Sequence, residues 1–327
     1  MRVLVTGASG LLGGAVAAAV RDAGHEVTTF QRSPSGVTGV VDALGTVTDR
    51  AAVEAAVAGQ DAVVHLAAKV SLTGDAAEFE RVNVGGSATL VDAMRAAGVP
   101  RLVFVSSPSV AHAGASIVGD DALPADPEHA RGDYARTKAL AERATLAADS
   151  AELRVVVVRP HLVWGPGDTQ LVERIVARAA AGRLPLLDHG AALIDSLYVD
   201  NAATGIAAAL ERVDVVHGNA YVLTNGEPRP VADLMAGIAE AGGAPAPRLR
   251  VPSAVARAAG SVVEAVWRVR PGEDEPPMTR FLAEQLSTAH WFDQRRTRRD
   301  LEWTPSVSVD EGLRRLAAWY AAGGARG

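Results

Sequence analysis

The sequence contains no cysteine, which excludes disulfide bonds and thiolate metal sites. Only 4% of its residues are aromatic although 48% are hydrophobic, so the core must consist mainly of Ala, Val and Leu. The 8 histidines are scattered at spacings unlike any zinc motif, and we expect no bound metal. The net charge of −6 provides no general attraction to nucleic acid, so we expect no nucleic-acid partner.

Long apolar runs are also missing, because no stretch reaches the roughly 18 uncharged residues of a membrane helix. Residues 251–272 come nearest, but Arg257, Glu264, Arg268 and Arg270 interrupt them. We therefore predict an amphipathic surface helix there and no integral membrane span. The first residues, MRVLVTG, lack the basic segment and apolar run of an export signal, and we expect a cytoplasmic protein.

Short Val-rich runs alternate with Ala-rich runs in the first half of the chain, a pattern typical of parallel strands with crossover helices. This pattern predicts an α/β fold with a Rossmann-like, doubly wound parallel sheet. The predicted strands are 2–7, 26–30, 62–67, 101–107 and 153–160, and the predicted helices are 11–23, 50–58, 79–97 and 133–149.

A glycine-rich segment, VTGASGLLGG, places Gly7, Gly10 and Gly13 between the first predicted strand and the first helix. Glycines there allow a tight turn and let a pyrophosphate approach the backbone and the helix N-terminus. The alternative is a purely structural turn. The segment resembles the glycine motif of extended short-chain dehydrogenases/reductases, and this resemblance implies cofactor contacts from Gly7, Ser9, Gly10, Leu11, Leu12 and Gly13.

The end of the second predicted strand, TTFQRSPSG, carries Gln31 and Arg32. A carboxylate at this place would hold the ribose of NAD and repel the 2′-phosphate of NADP. Gln31 removes that repulsion, and Arg32 can pair with a phosphate, unless it is simply a solvated loop residue. We therefore predict NADP(H) in preference to NAD(H). Similar proteins often have an aspartate near Thr46 that contacts the adenine amine. Threonine makes a weaker contact there, so the sequence supports adenine binding less strongly than phosphate binding.

The segment DYARTKALAE places Tyr134 and Lys138 four residues apart on one face of a predicted helix. A phenol is a weak acid at neutral pH, and a neighbouring ammonium should lower its pKa toward the working range. Lys69 is the chain's only other lysine, and all the remaining Lys and Arg positions are arginine. A lysine at residue 138 therefore suggests a need for a compact ammonium. We therefore interpret the pair as catalytic and not as an exposed helix pair without a role.

The hydroxyl partner of this pair should come from FVSSPSV, which offers Ser106, Ser107 and Ser109. The family resemblance selects Ser107 as the catalytic serine, beside Tyr134 and Lys138. It also implies that Asn83 and His65 are structural. Further cofactor contacts implied by the resemblance are Arg32, Val47, Ala67, Ala68, Tyr134, Lys138, Pro160 and Val163.

These assignments divide the chain into a nucleotide-binding domain and a substrate-binding region. We predict that residues 1–165 form the NADP-binding Rossmann domain and that residues 194–225 return to its sheet. Residues 166–193 and 226–327 should form the smaller, mostly C-terminal substrate-binding region. Similar proteins often dimerise through the helices predicted here at 83–97 and 133–149, and we expect a homodimer.

Three functions remain open at this stage. The segments VWGPGDTQLV and PPMTRFLAEQLSTAHWFD resemble the 3β-hydroxysteroid dehydrogenase group, in particular bacterial 2-alkyl-3-oxoalkanoate reductases. The resemblance implies an NADP-dependent oxidoreductase that interconverts a ketone and a secondary alcohol on a small apolar substrate, either a long-chain 3-oxoacyl or a steroid-like compound. A nucleotide-sugar epimerase or dehydratase would share the fold. A non-catalytic NADP-binding regulator would not need Ser107, Tyr134 and Lys138.

Overall fold

A computed structural model of the chain describes residues 1–71, 74–112, 114–269 and 279–324. The strands within these ranges are β1 (Arg2–Thr6), β2 (Glu26–Gln31), β3 (Val41–Leu44), β4 (Ala62–His65), β5 (Arg101–Val105), β6 (Ile117–Asp120), β7 (Arg154–Pro160), β8 (Val163–Trp164), β9 (Pro185–Leu187), β10 (Leu193–Ile194), β11 (Leu197–Tyr198), β12 (Asn219–Leu223), β13 (Arg229–Pro230), β14 (Leu249–Val251) and β15 (His290–Phe292).

The α-helices are α1 (Leu11–Asp22), α2 (Arg50–Val57), α3 (Ala76–Phe79), α4 (Gly86–Ala97), α5 (Gly132–Leu146), α6 (Val172–Ala180), α7 (Val199–Val216), α8 (Val231–Ala241), α9 (Ser253–Val269), α10 (Arg280–Ser287), α11 (Arg295–Leu301) and α12 (Val309–Ala321). A π-helical turn at Glu80–Gly85 joins α3 to α4, and Pro108–Ala111 form a 3₁₀ turn.

The main sheet has seven parallel strands in the order β12-β7-β5-β4-β1-β2-β3. The predicted doubly wound α/β fold is therefore confirmed. The sequence did not predict β3, because this short edge strand is exposed and lacks the apolar run of the central strands. The predicted helix at 79–97 begins earlier, at Ala76, and contains the π-helical turn.

Helices cover both faces of this sheet. Helix α1 packs against α7 on one face and α2 packs against α4 on the other, each over a core built mainly from valine, leucine and alanine. Because both faces are covered, the central strands are apolar on both sides. Their carboxyl ends, where ligands bind in such folds, carry the glycine loop after β1 and Ser107 after β5.

The C-terminal part of the chain builds a second core beside the main sheet. Helix α8 packs between α6 and α12, around buried side chains that include Trp164 and Leu316. A small sheet in the order β13-β10-β15-β6 joins segments that are distant in the sequence. The predicted domain boundaries stay a prediction. Among the described residues, none of the helices combines the length and the apolar run that crossing a membrane demands.

Candidate active site

The glycine loop forms a tight turn that leads from β1 directly into α1. Gly7 has a φ of 79°, in the left-handed region, and a Cβ there would lie 3.0 Å from the Cα and N atoms of Ala67. A Cβ on Gly13 would lie 2.2 Å from the carbonyl oxygen of Gly7. These two glycines therefore allow the first turn of α1 to pack directly against the end of β1.

The N-terminus of α1 fits the phosphates of a nucleotide. Gly10 is the N-cap, and no side chain accepts a hydrogen bond from the first N–H groups of the helix. A Cβ on Gly10 would meet only the Gly7 carbonyl oxygen, at 3.6 Å, so the approach to these groups is open. Free N–H groups and the helix dipole favour an anion at this end. Ser9 and Gly10 are exposed, whereas Leu11 and Leu12 are half-buried.

A carboxylate on the neighbouring strand β3, which the sequence analysis missed, contacts the end of β2. Gln31 is buried, and its amide donates to the Asp42 carboxylate at 2.9 Å. Asp42 also accepts from the hydroxyl of Thr29 at 2.5 Å and from the backbone N–H of Ser35. The hydrogen bond from Thr29 is the main reason that the pKa of Asp42 is lowered. Asp42 thus fixes the loop after β2. Residues 41–44 (VDAL) do not alternate between apolar and polar side chains, so no sequence pattern marked their strand.

Arg32 lies beyond this network and is exposed. Its guanidinium forms no hydrogen bond or ion pair within the described part of the chain. The Gln31 side-chain oxygen is buried and has no partner there either. An unpaired cation and an orphaned acceptor side by side are compatible with a nucleotide ribose or its phosphate.

A chain of hydrogen bonds fixes the ends of β1 and β4. The Thr6 hydroxyl accepts from the N–H groups of Leu66 and Ala67 at 3.1 and 3.0 Å, and it contacts Nδ1 of His65 at 2.8 Å. Nε2 of His65 contacts the Ser87 hydroxyl at 3.2 Å, and that hydroxyl donates to the Asn83 carbonyl. Burial lowers the pKa of His65 to about 3, so the imidazole is neutral and structural.

Asn83 connects the loop after β4 to α5. Its side-chain oxygen accepts from the N–H of Lys69 at 2.7 Å, and its amide donates to the Thr137 hydroxyl at 3.1 Å. Ala67 and Ala68 lie half-buried in this loop. Val47 is buried near Gly86, where a Cβ would come within 2.6 Å of the valine. These contacts hold the predicted cofactor-contacting residues at the carboxyl end of the sheet.

Helix α5 presents a column of functional side chains to the main sheet. Tyr134, Lys138 and Glu142 follow at four-residue intervals, so they lie on one helix face. Lys138 is 4% exposed, and its ammonium donates to the Val105 carbonyl at 2.7 Å. The same ammonium lies 4.4 Å from the centroid of the Phe104 ring. The lysine therefore reaches Val105, the last residue of β5, two residues before Ser107.

The sequence analysis predicted a lowered pKa for Tyr134, and this prediction is wrong because the phenol is buried. Burial raises the pKa of the Tyr134 phenol to about 12, and a hydrogen bond with the Ser107 side chain acts in the opposite direction. Burial also lowers the pKa of Lys138 to about 8, against the influence of Glu142. The sequence showed the pair but not its burial, and burial disfavours the charged form of both groups.

The three candidate serines after β5 have different environments. Ser107 caps the 3₁₀ turn by accepting from the N–H of Ser109 at 3.3 Å, and the Ser109 hydroxyl donates to it at 3.0 Å. The Ser106 hydroxyl is buried without a partner among the described residues. Ser107 is the serine that contacts Tyr134.

A buried ion pair fixes α5 against the neighbouring strand. Glu142 and Arg159 are each 2% exposed, and the Arg159 Nε donates to Glu142 at 3.0 Å. Arg159 also donates to the Leu123 carbonyl at 2.7 Å. The sequence analysis missed this pair, although Glu142 continues the spacing of Tyr134 and Lys138. The pair explains why α5 presents one face to the sheet.

Pro160 and Val163 lie on either side of a sharp bend. Pro160 is the buried last residue of β7, and Val163 begins β8. Between them, Leu162 has a φ of 46°, a conformation that non-glycine residues rarely adopt. The bend takes the chain out of the main sheet at the carboxyl end of its strands.

A cleft of about 750 Å³ opens beside the glycine loop. Ser9, Gly10 and Leu11 form part of one wall, and Arg315 and Trp319 of α12 line the other side. Ser107, Tyr134 and Lys138 are not part of its lining. The cleft is thus continuous with the predicted phosphate site and not with the predicted catalytic side chains.

Apolar side chains between residues 251 and 292 of the sequence predict a wall for a lipid-like substrate, with core packing as the alternative, and the structure describes only some of them. Phe292 is buried with Ile117 and Val222 in a small core cluster, so it is a core residue. Trp267, Phe281 and Trp291 are half-buried. The other predicted wall residues, Pro276, Pro277 and Met278, lie outside the described residues.

Comparison with known proteins assigns the chain to a family. Residues 3–224 match the model of the NAD dependent epimerase/dehydratase family. The chain belongs to this family. It is 42% identical to a 2-alkyl-3-oxoalkanoate reductase of Stenotrophomonas maltophilia, over 98% of this chain and 100% of that protein. It is 30% identical to a 3-beta-hydroxysteroid dehydrogenase of Mycolicibacterium neoaurum, over 98% of this chain and 91% of the relative.

A solved structure extends the comparison to the fold. A short-chain dehydrogenase/reductase superfamily protein from Agrobacterium tumefaciens, crystallised with bound NAD, superimposes with a TM-score of 0.74 at 25% identity. The alignment covers 99% of this chain and 98% of that one. The predicted resemblance to extended short-chain dehydrogenases/reductases is confirmed, and the chain is an oxidoreductase of that type that acts on CH–OH groups with a nicotinamide cofactor.

Proposed function

We propose that the protein interconverts a ketone and a secondary alcohol on a long-chain apolar substrate, using NADP(H), Ser107, Tyr134 and Lys138. The contact between Ser107 and Tyr134, with Lys138 held at the same strand end, carries this proposal. The names of the relatives support a 2-alkyl-3-oxoalkanoate as the substrate class. The cofactor residues would be those of the glycine loop, Arg32, Val47, Ala67, Ala68, Pro160 and Val163.

The mechanism follows from the protonation states of the three side chains. When bound, the nicotinamide supplies or accepts the hydride. Tyr134, with its pKa raised to about 12, stays protonated at neutral pH and can donate its proton to a carbonyl oxygen as that oxygen gains charge. An alkoxide is a much stronger base than a phenolate, so this transfer is favourable. Ser107 donates a hydrogen bond that orients the carbonyl oxygen.

Lys138, one helical turn from Tyr134, would supply positive charge on the same face of α5. Its pKa of about 8 leaves it mostly protonated at neutral pH, and its ammonium is fixed by the Val105 carbonyl. A fixed ammonium stabilises the phenolate that forms when Tyr134 gives up its proton. In the oxidative direction the same charge stabilises the phenolate that must form before Tyr134 can accept a proton from the alcohol.

The proposed preference for NADP over NAD rests on the charges at the end of β2. Gln31 is neutral and Arg32 is an exposed cation without an ion pair among the described residues, a combination that suits a 2′-phosphate. Asp42 is the one carboxylate of the Gln31 network, and its oxygens are engaged by Thr29, Gln31 and Ser35. A homodimer and a location in the cytoplasm stay predictions.

The direct test follows NADPH oxidation with 2-alkyl-3-oxoalkanoates of increasing chain length. We expect kcat/KM to rise by about fourfold for each methylene group that the enzyme buries. Nucleotide sugars, offered with NAD and with NADP, are the comparison because the family includes epimerases and dehydratases. Turnover of nucleotide sugars alone would reverse the assignment. Cofactor binding without turnover of either class would indicate a regulator.

A further inference from the structure

Helix α9 exposes an uninterrupted apolar face to solvent. Val255, Val262 and Val266 are 57%, 64% and 48% exposed, and their spacing of seven and four residues places them on one side of the helix. Every exposed side chain between residues 253 and 267 is alanine or valine: Ala254, Val255, Ala258, Ala259, Val262, Ala265 and Val266. The sequence predicted an amphipathic surface helix here, but its apolar side faces outward.

The polar side chains of α9 fix this orientation because they are used on the inner side. Glu264 accepts from the N–H of Arg280 at 2.8 Å and from that of Phe281 at 3.4 Å, at the start of α10. Arg257 donates to the Ser253 carbonyl and hydroxyl at 3.3 and 3.2 Å, within α9 itself. A Cβ on Gly260 would lie 2.5 Å from the backbone N of Arg280. Helix α9 therefore cannot rotate its valines inward without losing the Glu264 bonds and the close contact of Gly260 with α10.

The size of the face argues against a second protein as its partner. From Val255 to Val266 the helix rises about 17 Å, so a strip about 10 Å wide covers about 170 Å². A stable protein interface needs about 800 Å² on each partner. A lipid surface needs no shape complementarity and accepts a single apolar helix face.

Exposed positive charge lies next to this face. Arg248 and Arg250 are exposed immediately before α9, and Leu249 between them is 48% exposed. Between residues 248 and 267 the exposed charged side chains are these two arginines. The exposed Asp188 lies at the same end of α9, where it accepts from the N–H of Ser253 at 2.8 Å, so the net charge at this end stays positive. The sequence continues into Glu273, Asp274 and Glu275, which lie outside the described residues. Basic residues beside an apolar helix face are attracted to anionic headgroups.

We propose that the protein binds peripherally to an anionic lipid bilayer, with α9 lying in the interface and its valines inserted below the headgroups. Arg248 and Arg250 would contact the headgroups at the start of the helix. This inference stands on α9 and its neighbours alone and does not rest on the proposed function. It extends the sequence-based expectation of an amphipathic surface helix without an integral membrane span.

The experiment measures co-sedimentation of the full chain with phosphatidylcholine vesicles that contain or lack phosphatidylglycerol. We expect binding to the anionic vesicles that weakens with added salt, because exposed charges are screened. Val262→Asp should lower the partition coefficient by about tenfold, and Val255→Asp combined with Val262→Asp should abolish binding, since a charge must then enter the apolar layer. Arg248→Glu with Arg250→Glu should also lower it by about tenfold.

The matched control is Val215→Asp, which changes a valine that is 70% exposed on α7 and should bind vesicles as the wild type does. Far-ultraviolet circular dichroism and urea denaturation of the α9 variants, unchanged from the wild type, check that they fold. The proposal is overturned by a wild-type chain that stays in the supernatant with anionic vesicles, or by Val262→Asp binding as well as Val215→Asp. A chain that instead loses a dimeric mass on Val262→Asp would identify a second copy as the partner.

Discussion

Lys138 is a lysine whose ammonium lies in the protein interior, where one backbone carbonyl accepts its hydrogen bond. Desolvation makes the charged form expensive and lowers the pKa of Lys138 from 10.5 to about 8. The protein keeps a charge that weakens its stability, which is typical of functional sites. The lysine at this position is therefore better explained by chemistry than by packing.

The shift of the Lys138 pKa has a measurable effect on stability. Below pH 8 both the folded and the unfolded chain hold the proton, and the full cost of burial applies. Between about pH 8 and pH 10.5 the unfolded chain binds a proton that the folded chain has lost, so this group makes the free energy of unfolding rise with pH. The gain is about 3 kcal/mol. Lys138→Met should lack this rise in urea denaturation measured across that range.

Lys69→Met, which removes the chain's other lysine, is the control and should keep the rise seen in the wild type. A Lys138→Met variant whose stability rises with pH as steeply as that of Lys69→Met would show that Lys138 does not titrate in this range.

Arg32 decides cofactor preference if its guanidinium pairs with a 2′-phosphate. Arg32→Asp places a carboxylate beside that phosphate and should weaken NADPH binding by at least tenfold, because hydrogen bonds to charged groups contribute about 1.5–3 kcal/mol. NADH binding should be unchanged or stronger. Fluorescence titration of both cofactors measures the ratio of the two dissociation constants. Arg183→Asp, at another exposed arginine, should leave the ratio as it is, and an unchanged ratio in Arg32→Asp would contradict NADP selection by this residue.

At the scale of elements, the turn from β1 into α1 contains two glycines with different predicted roles. Gly13 is needed for packing, and Gly10 leaves room for the phosphates. Gly13→Ala would place a Cβ 2.2 Å from the Gly7 carbonyl oxygen and should lower the free energy of unfolding by about 1–3 kcal/mol. Gly10→Ala meets only an ordinary contact at 3.6 Å and should change it by less than about 0.5 kcal/mol. Gly10→Ala should nevertheless weaken NADPH binding by about tenfold, because its methyl group covers the free N–H groups of α1.

Urea denaturation and NADPH titration of both variants separate the two effects. Gly85→Ala, where a Cβ would lie 3.8 Å from the Glu80 carbonyl oxygen, is the control and should bind NADPH normally. Normal NADPH affinity in a stably folded Gly10→Ala variant would place the phosphates elsewhere.

Elements with a strong local signal were predicted well. The central strands are apolar over four or more residues. Asp49 and Gly98 are residue types that commonly mark helix ends: Asp49 accepts from the N–H of Ala52 at 3.2 Å and Gly98 has a φ of 68°. Strand β3 was missed because its stability comes from pairing with β2 and not from its own sequence. The direction in which the apolar face of α9 points could not be predicted, because Glu264 and Gly260 acquire their partners from α10, which follows later in the chain.

At the scale of the whole molecule, the main sheet follows from the sequence and the C-terminal region does not. The main sheet joins strands in a parallel order that the alternation of strands and helices already favours. The small sheet joins β6, β10, β13 and β15, each only two to four residues long, from across the chain. Such pairing leaves no local pattern, so the substrate-binding region could be predicted only by resemblance.

The candidate site shows the same division. Tyr134 and Lys138 were found from their spacing, which is local. The bond from Lys138 to the Val105 carbonyl and the ion pair of Glu142 with Arg159 depend on how α5 packs against the main sheet. Their consequence, a phenol with a raised pKa and an ammonium with a lowered one, could not be read from residue types alone.

The most direct test of the account is steady-state turnover and NADPH binding by Tyr134→Phe. Removing the proton donor should lower kcat by a factor of about 10² or more, while the dissociation constant of NADPH stays within about twofold because the glycine loop and Arg32 are intact. Tyr320→Phe, on α12, should match the wild type in both. A Tyr134→Phe enzyme that retains wild-type kcat on the long-chain ketone would contradict the assignment of Tyr134 as the proton donor.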